Sequence, residues 1–205
     1  MTTQGGILAD SEIRRAIACG DIEIDPFEPL HVNPVSVDLT LGDEVLVYKK
    51  WAHAQGHYSE ALDRNVNHSS DRHIIDVKEE PETIQFRIPG QGLILRPGVG
   101  YLMHTRERVI TKKYVPVLDG KSSIGRLFVF IHVTAGFGDP GFDGQYTLEV
   151  VPIHPLRIYA GMRIAQMRFH TICGEVEKPY AGNYTGDDAR GPVASKAYKQ
   201  FKGAR

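Results

Sequence analysis

Residues 92–118 read GLILRPGVGYLMHTRERVITKKYVPVL. Their apolar segments, at 92–96, 101–104, 108–110 and 115–118, are short, and Pro, Gly, Arg or Lys interrupts them at close intervals. Many short strands in that rhythm indicate an all-β barrel or sandwich rather than alternating β/α units. The rhythm begins near Ile84 and continues through 127–134, 146–152, 156–159, 163–169 and 172–177. Upstream, one helix is signalled. Asp10 or Ser11 can cap it, Ile13, Ala16 and Ile17 share a face, and Gly20 ends it. The stretch IEIDPFEPLHVNPVSVDLTLGDEVLVYKK follows, with Val35, Val37, Leu39 and Leu41 alternating as in strands between tight turns.

Two regions fall outside this pattern. Residues 52–75 are polar, rich in histidine and without a period, and read as an exposed loop or insertion. Residues 181–205 are Gly-rich and polar with scattered Tyr and Lys, and are expected to be a flexible tail ordered by what it binds. With no internal repeat, residues 1–205 are read as a single domain.

Composition narrows the function classes. The chain carries 24 basic against 25 acidic residues, a balance unlike the strongly basic footprint of a nucleic-acid coat, though compatible with a local basic pocket. Its two cysteines, Cys19 and Cys173, are far apart and form no CxxC, which argues against a disulfide framework and for a reducing compartment. No signal-peptide pattern opens the chain, and no apolar run nears the roughly 18–20 residues of a spanning helix. A cytoplasmic location is expected.

Three clusters hold the chemistry. The first is Asp119-Gly120-Lys121-Ser122-Ser123-Ile124-Gly125-Arg126, whose hydroxyls, cations and glycines are the materials of a phosphate-binding turn. Its GKSS imitates a P-loop, but Val115 stands where the first P-loop glycine belongs, so that reading fails. An ordinary polar turn between strands accounts for it equally well. The second, His132 to Gly144, reads HVTAGFGDPGFDG, and its four glycines and one proline make a tight turn that a ligand can approach closely. Asp139 can accept from a sugar hydroxyl or cap its own turn. His132 alone reads as a packed core residue.

The third cluster is Tyr146-Thr147-Leu148-Glu149-Val150-Val151. Strand alternation puts Thr147, Glu149 and Val151 on one face. Facing solvent, Glu149 is unremarked. Facing a pocket, it is a carboxylate placed for general acid–base work. The histidines offer no metal site: the H-x-E and P-C-x-x-C signature of zinc deaminases is absent, and His53, His57, His68 and His73 read as solvated.

Taken together these clusters resemble the dCTP deaminases of the trimeric dUTPase-like superfamily. The resemblance runs through ILADSEIRRAIACGDIEIDPF, VNPVSVDLTLG, GKSSIGR, HVTAGFGDPGFDGQYTLEV, GMRIAQM and GPVASKAYKQF. It implies a mainly β fold, a distorted β-barrel of dUTPase-like, β-clip type with a short N-terminal helix. It implies dCTP as substrate, no zinc, and Mg²⁺ bound through the triphosphate. A homotrimer whose subunits share each active site is expected, with neither nucleic acid nor membrane as partner.

Residue by residue, the resemblance makes Glu149 the proton shuttle, with Ser122, Arg126 and the carbonyl of Ala135 holding the attacking water. Lys121, Ser122 and Ser123 match phosphate-contacting positions, and Ile124 and Gly125 complete that motif. Asp139 matches the contact to the deoxyribose 3′-hydroxyl, and backbone around Thr147 and Leu148 the base edge. Gln166 and Tyr180 match phosphate or subunit-bridging contacts. The leading expectation is release of dUTP and ammonia. Alternatives are a bifunctional enzyme carrying dUTP on to dUMP and diphosphate, a relative acting on modified cytosine nucleotides, and a non-catalytic nucleotide sensor. Phe128 stands where the family often has Gly, and hints at altered packing near the pocket.

Overall fold

The computed structural model describes residues 5–49 and 75–202. Helix α1 (Asp10–Ala18) turns Ile13 and Ala16 fully inward with Ile17 half-buried, as its spacing requires. The expected cap moves by one residue. Ala9 occupies the N-cap position without a side-chain bond, so Asp10 and Ser11 lie inside the first turn. Gly20 follows the helix with φ 75°, a left-handed conformation glycine adopts without a Cβ clash.

The strands in chain order are β1 (Ile22–Asp25), β2 (Val32–Asn33), β3 (Ser36–Thr40), β4 (Glu44–Tyr48), β5 (Thr83–Arg87) and β6 (Leu93–Leu95). They continue with β7 (Tyr101–Thr111), β8 (Tyr114–Gly120), β9 (Val129–Ile131), β10 (Asp143–Pro152), β11 (Leu156–Ile158) and β12 (Arg163–Thr171). A six-stranded sheet runs β5-β4-β7-β10-β9, with β1 paired to β7. A four-stranded sheet runs β2-β3-β12-β8, and β6 pairs with β11. Together they enclose one apolar core drawn from all three sheets, an unclosed and distorted form of the expected β architecture.

Several expectations change in detail. Segments 101–104 and 108–110 are one eleven-residue strand: of the polar residues between them, Thr105 and Glu107 are buried and Arg106 points to solvent. Glu107 is tolerated there because its two oxygens accept from the backbone N–H and hydroxyl of Thr40, at 2.9 and 2.6 Å. Residues 172–177 form no strand. Val35 is half-exposed, just before β3, whereas Val37, Leu39 and Leu41 are buried. The GKSS stretch is a single helical turn, α2 (Ser122–Gly125), rather than an open loop. Of the loop or insertion expected at 52–75, residues 52–74, with His53, His57, His68 and His73, lie outside the described residues.

The tail takes a definite path along β10 and ends in the short helix α3 (Tyr198–Phe201). Thr185 bonds Asp143, Gly191 N–H donates to Gln145 Oε1 at 2.6 Å, and Val193 N–H donates to Thr147 Oγ1 at 3.0 Å. Polar side chains of the strand thus supply the acceptors that a segment without regular structure needs. Ala189 and Pro192 are buried, so this tail contributes to packing despite its polarity.

Candidate active site

Strand β10 alternates as its sequence predicts. Tyr146, Leu148 and Val150 face the core, while Gln145, Thr147 and Glu149 face the other way. Leu148 is therefore core, and only its backbone is available to a ligand. The outward face lines an open cavity of about 460 Å³, within the size range of small-molecule sites. Glu149, Thr147, His132, Ala135, Asp139 and Tyr180 line it, and Tyr184, Val193 and Ser195 of the tail close one side. Aromatic packing shapes the sugar-turn end, with the Phe142 ring 4.6 Å from Tyr146 and 6.0 Å from Tyr180. The Asp139 side chain is exposed on this rim and does not cap its turn; Phe142 N–H bonds the Asp139 backbone carbonyl instead.

His132 is the residue that sequence reasoning undervalued. The three-residue β9 is bracketed by two non-glycine residues in left-handed conformation, Phe128 at φ 53° and His132 at φ 52°. Such residues are uncommon and gather at functional sites. The second of them turns the imidazole off the strand and into the cavity. Its Nδ1 lies 2.7 Å from Glu149 Oε2, an ion-pair contact whose angle falls outside hydrogen-bond geometry, and its Nε2 lies 2.7 Å from the carbonyl of Ala135.

Both ring nitrogens therefore face acceptors, and only the imidazolium has two donors to offer. Burial works to lower the His132 pKa, but the Glu149 carboxylate, helped by the Ala135 carbonyl, outweighs it and the net shift is upward. The carbonyl of Ala135 keeps a second lone pair for another donor. The only sequence signal for this role was the position of His132 immediately before the glycine-rich turn.

The remaining candidates lie elsewhere. None of Lys121, Ser122, Ser123, Ile124, Gly125, Arg126 or Gln166 lines this cavity. Ser122, Ser123 and Gly125 are exposed on α2, and Arg126 is exposed just after it. Lys121 contacts Asp38, and β12 pairs Gln166 with both Asp38 and Asp119. Phe128 is exposed and does not line the cavity either, so it gives no hint about the base. A second cavity, of about 600 Å³, lies beyond the Gly186–Ala189 turn, where Arg106, Arg108 and Arg190 are offset by Asp25, Asp143 and Asp187.

A mainly β domain thus holds a paired carboxylate and imidazole in a cavity of small-molecule size. The comparisons make it particular. A dCTP deaminase-like family model matches residues 7–172. A protein of Clostridium acetobutylicum named dCTP deaminase, dUMP-forming, is 40% identical over 195 residues, 95% of this chain and 98% of that one. One of the same name from Leptospira biflexa is 37% identical over 96% of this chain and 98% of its own. The chain belongs to the dCTP deaminase family and is an enzyme. The fold is similar to that of a solved 2'-deoxycytidine 5'-triphosphate deaminase from Agrobacterium tumefaciens, with a TM-score of 0.56 at 22% identity. That match covers 82% of this chain and 48% of the other.

Proposed function

We propose that this enzyme converts dCTP to dUMP, ammonia and diphosphate. One observation carries the deamination step: Glu149 points into the cavity and is held there by His132, beside the carbonyl of Ala135. Glu149 takes a proton from water as the hydroxide adds to C4 of cytosine, and passes that proton to N3. It then takes the proton of the new C4 hydroxyl and delivers it to the amino group, so that collapse to the C4 carbonyl breaks the C4–N bond and releases ammonia. A second water then attacks the α-phosphorus, breaks its bond to the bridging oxygen and expels diphosphate. The leading expectation from sequence, release of dUTP, gives way to this second reading, because relatives covering nearly the whole chain carry dUMP-forming names.

Each site is shared between copies in a homotrimer. Glu149, Ala135 and Asp139 come from one copy, and Ser122, Arg126, Lys121 and Ser123 from its neighbour. Two features support this. The α2 turn is exposed and unopposed in one chain, and Phe128, Phe130, Val133, Val151 and Ile153 form an exposed apolar patch around β9. A patch of that kind marks a protein interface.

The ion-paired group around Lys121 holds three cations, Lys121, Arg163 and Arg168, against two carboxylates, Asp38 and Asp119. That excess falls short of a triphosphate's charge. Mg²⁺ entering with the substrate, and keeping much of its water, offsets the remainder. Among the described residues no helix is long and apolar enough to cross a membrane.

Incubation with dCTP and Mg²⁺, with products resolved, tests the reading. Equimolar dUMP, diphosphate and ammonia are expected. Accumulating dUTP without diphosphate would leave a deaminase alone, and nucleotide binding without ammonia would remove the catalytic role altogether.

A further inference from the structure

We propose that Arg163 is a further phosphate-binding residue, aimed together with Lys121 by the buried carboxylate of Asp38; this rests on the reading that the nucleotide phosphates dock at the 120–126 turn. Asp38 lies on β3 with its side chain fully buried. A buried carboxylate is costly unless paired, and one counter-charge is enough to pair it. Asp38 has more. Its Oδ1 contacts Lys121 Nζ and accepts from Asn33 Nδ2 at 2.9 Å, while its Oδ2 accepts from Arg163 Nη1 at 3.2 Å.

The group therefore carries a surplus positive charge beside a turn rich in hydroxyls, with the neighbouring Asp119–Arg168 pair neutral in sum. A structural counter-ion for Asp38 needs only Lys121, which is nearly buried. Arg163 is not nearly buried: its side chain is 56% exposed and lends one nitrogen to Asp38, leaving the rest of its planar fork outward. That fork matches phosphate oxygens in a bidentate way that an ammonium cannot.

Local backbone geometry places it. The register of β12 on β3 shifts between Arg163 and Ala165, which sets Arg163 opposite Thr40 while Gln166 stays opposite Asp38. Lys121 and Arg163 thereby converge on one carboxylate, the first from the turn after β8 and the second from β12.

The test uses the full chain and two readouts, binding of Mg²⁺-tripolyphosphate by calorimetry and the kinetics of dCTP turnover. Arg163→Gln is expected to weaken tripolyphosphate by about tenfold, the loss of one charge-assisted hydrogen bond. It is also expected to raise KM for dCTP while kcat stays within about twofold, the signature of lost uniform binding. Arg163→Lys restores part of the affinity. Affinity for deoxycytidine, which has no phosphate, stays at the wild-type value. Asp38→Asn produces the same KM effect if it folds; the surface variant Arg163→Gln decides the matter if it does not. Equal tripolyphosphate affinity in wild type and R163Q, or none in the wild type, overturns the proposal. Arg163-dependent tripolyphosphate binding without ammonia from dCTP sustains it and sinks the deaminase reading instead.

Discussion

The pocket around Glu149 and the ledge around Lys121 are built in opposite ways. The pocket rests on one face of one strand: Gln145 and Thr147 hold the tail, and Glu149, next in the same row, holds His132. It is walled by its own chain. The ledge has a base in which Lys121 is tied down by Asp38, but Ser122 on the helical turn and Arg126 just after it stand exposed. One chain thus holds a walled pocket and an open ledge, and the proposed shared site takes the first from one copy and the second from its neighbour.

The largest effects should come from breaking the two halves separately and then mixing them. Glu149→Gln is expected to lower kcat by roughly 10²-fold or more while nucleotide binding persists, the usual loss of a general base. Arg126→Ala should be comparably inactive. Co-refolded together, the two inactive variants should regain activity, since random assembly of a cyclic trimer leaves about a quarter of its sites with both halves intact. A mixed preparation as inactive as its components would place the whole site within one chain.

What was legible in the sequence follows from the range of each interaction. Alternation in β10 is local, so the faces of Thr147, Leu148 and Glu149 could be read directly. The role of His132 could not, because it depends on a backbone dihedral at the end of β9 and on a partner seventeen positions away. The path of the tail is illegible for a similar reason. Two of its backbone donors are satisfied by Gln145 and Thr147, side chains on a strand 46 residues earlier. Asp38 was passed over because a lone Asp in VDLTLG gives no sign of the two cations folded onto it.

The pocket's wall can be pushed outward without touching its chemistry. A Cβ on Gly144 would sit 2.3 Å from the Cβ of Ala189 and 2.9 Å from its carbonyl, so Gly144→Ala must shift the tail turn. Overpacking of this kind costs about 1–3 kcal/mol. Faster tryptic cleavage after Arg190 and a raised KM are expected, with the ledge unaffected and tripolyphosphate binding unchanged. Unaltered cleavage would mean that the tail does not depend on this contact.

Protonation separates the halves more finely. His132 has a raised pKa in the folded protein, so it contributes stability below its ordinary value of about 6.5 and loses that contribution as pH rises through the folded value. His104 works the other way. Burial, only partly offset by its bond to the Thr105 carbonyl, lowers its pKa, so its contribution is present above about 6.5 and is lost as pH falls through the folded value. The wild-type curve mixes the two. The difference in Tm between wild type and His132→Asn isolates the pocket, and should be widest on the acid side and narrow toward alkaline pH. A gap independent of pH would mean that the imidazole is not charged against Glu149.

The smallest effect belongs to the other end of β9. Phe128 holds φ 53° with its ring 59% exposed, touching His154 edge-on at 5.5 Å. A left-handed residue with a Cβ costs roughly 1–2 kcal/mol, and glycine removes that cost while raising the entropy of the unfolded chain. In an isolated chain Phe128→Gly should therefore gain up to about 1 kcal/mol, because so little packing is lost. In the trimer the sign should reverse, since Phe128 belongs to the apolar patch that a neighbouring copy would cover. Thermal denaturation across a range of protein concentrations distinguishes them: the variant should be the more stable when dilute and the less stable when concentrated. A gain at every concentration would mean that the strained phenylalanine serves no interface, and would take the apolar patch away as an argument for the shared site.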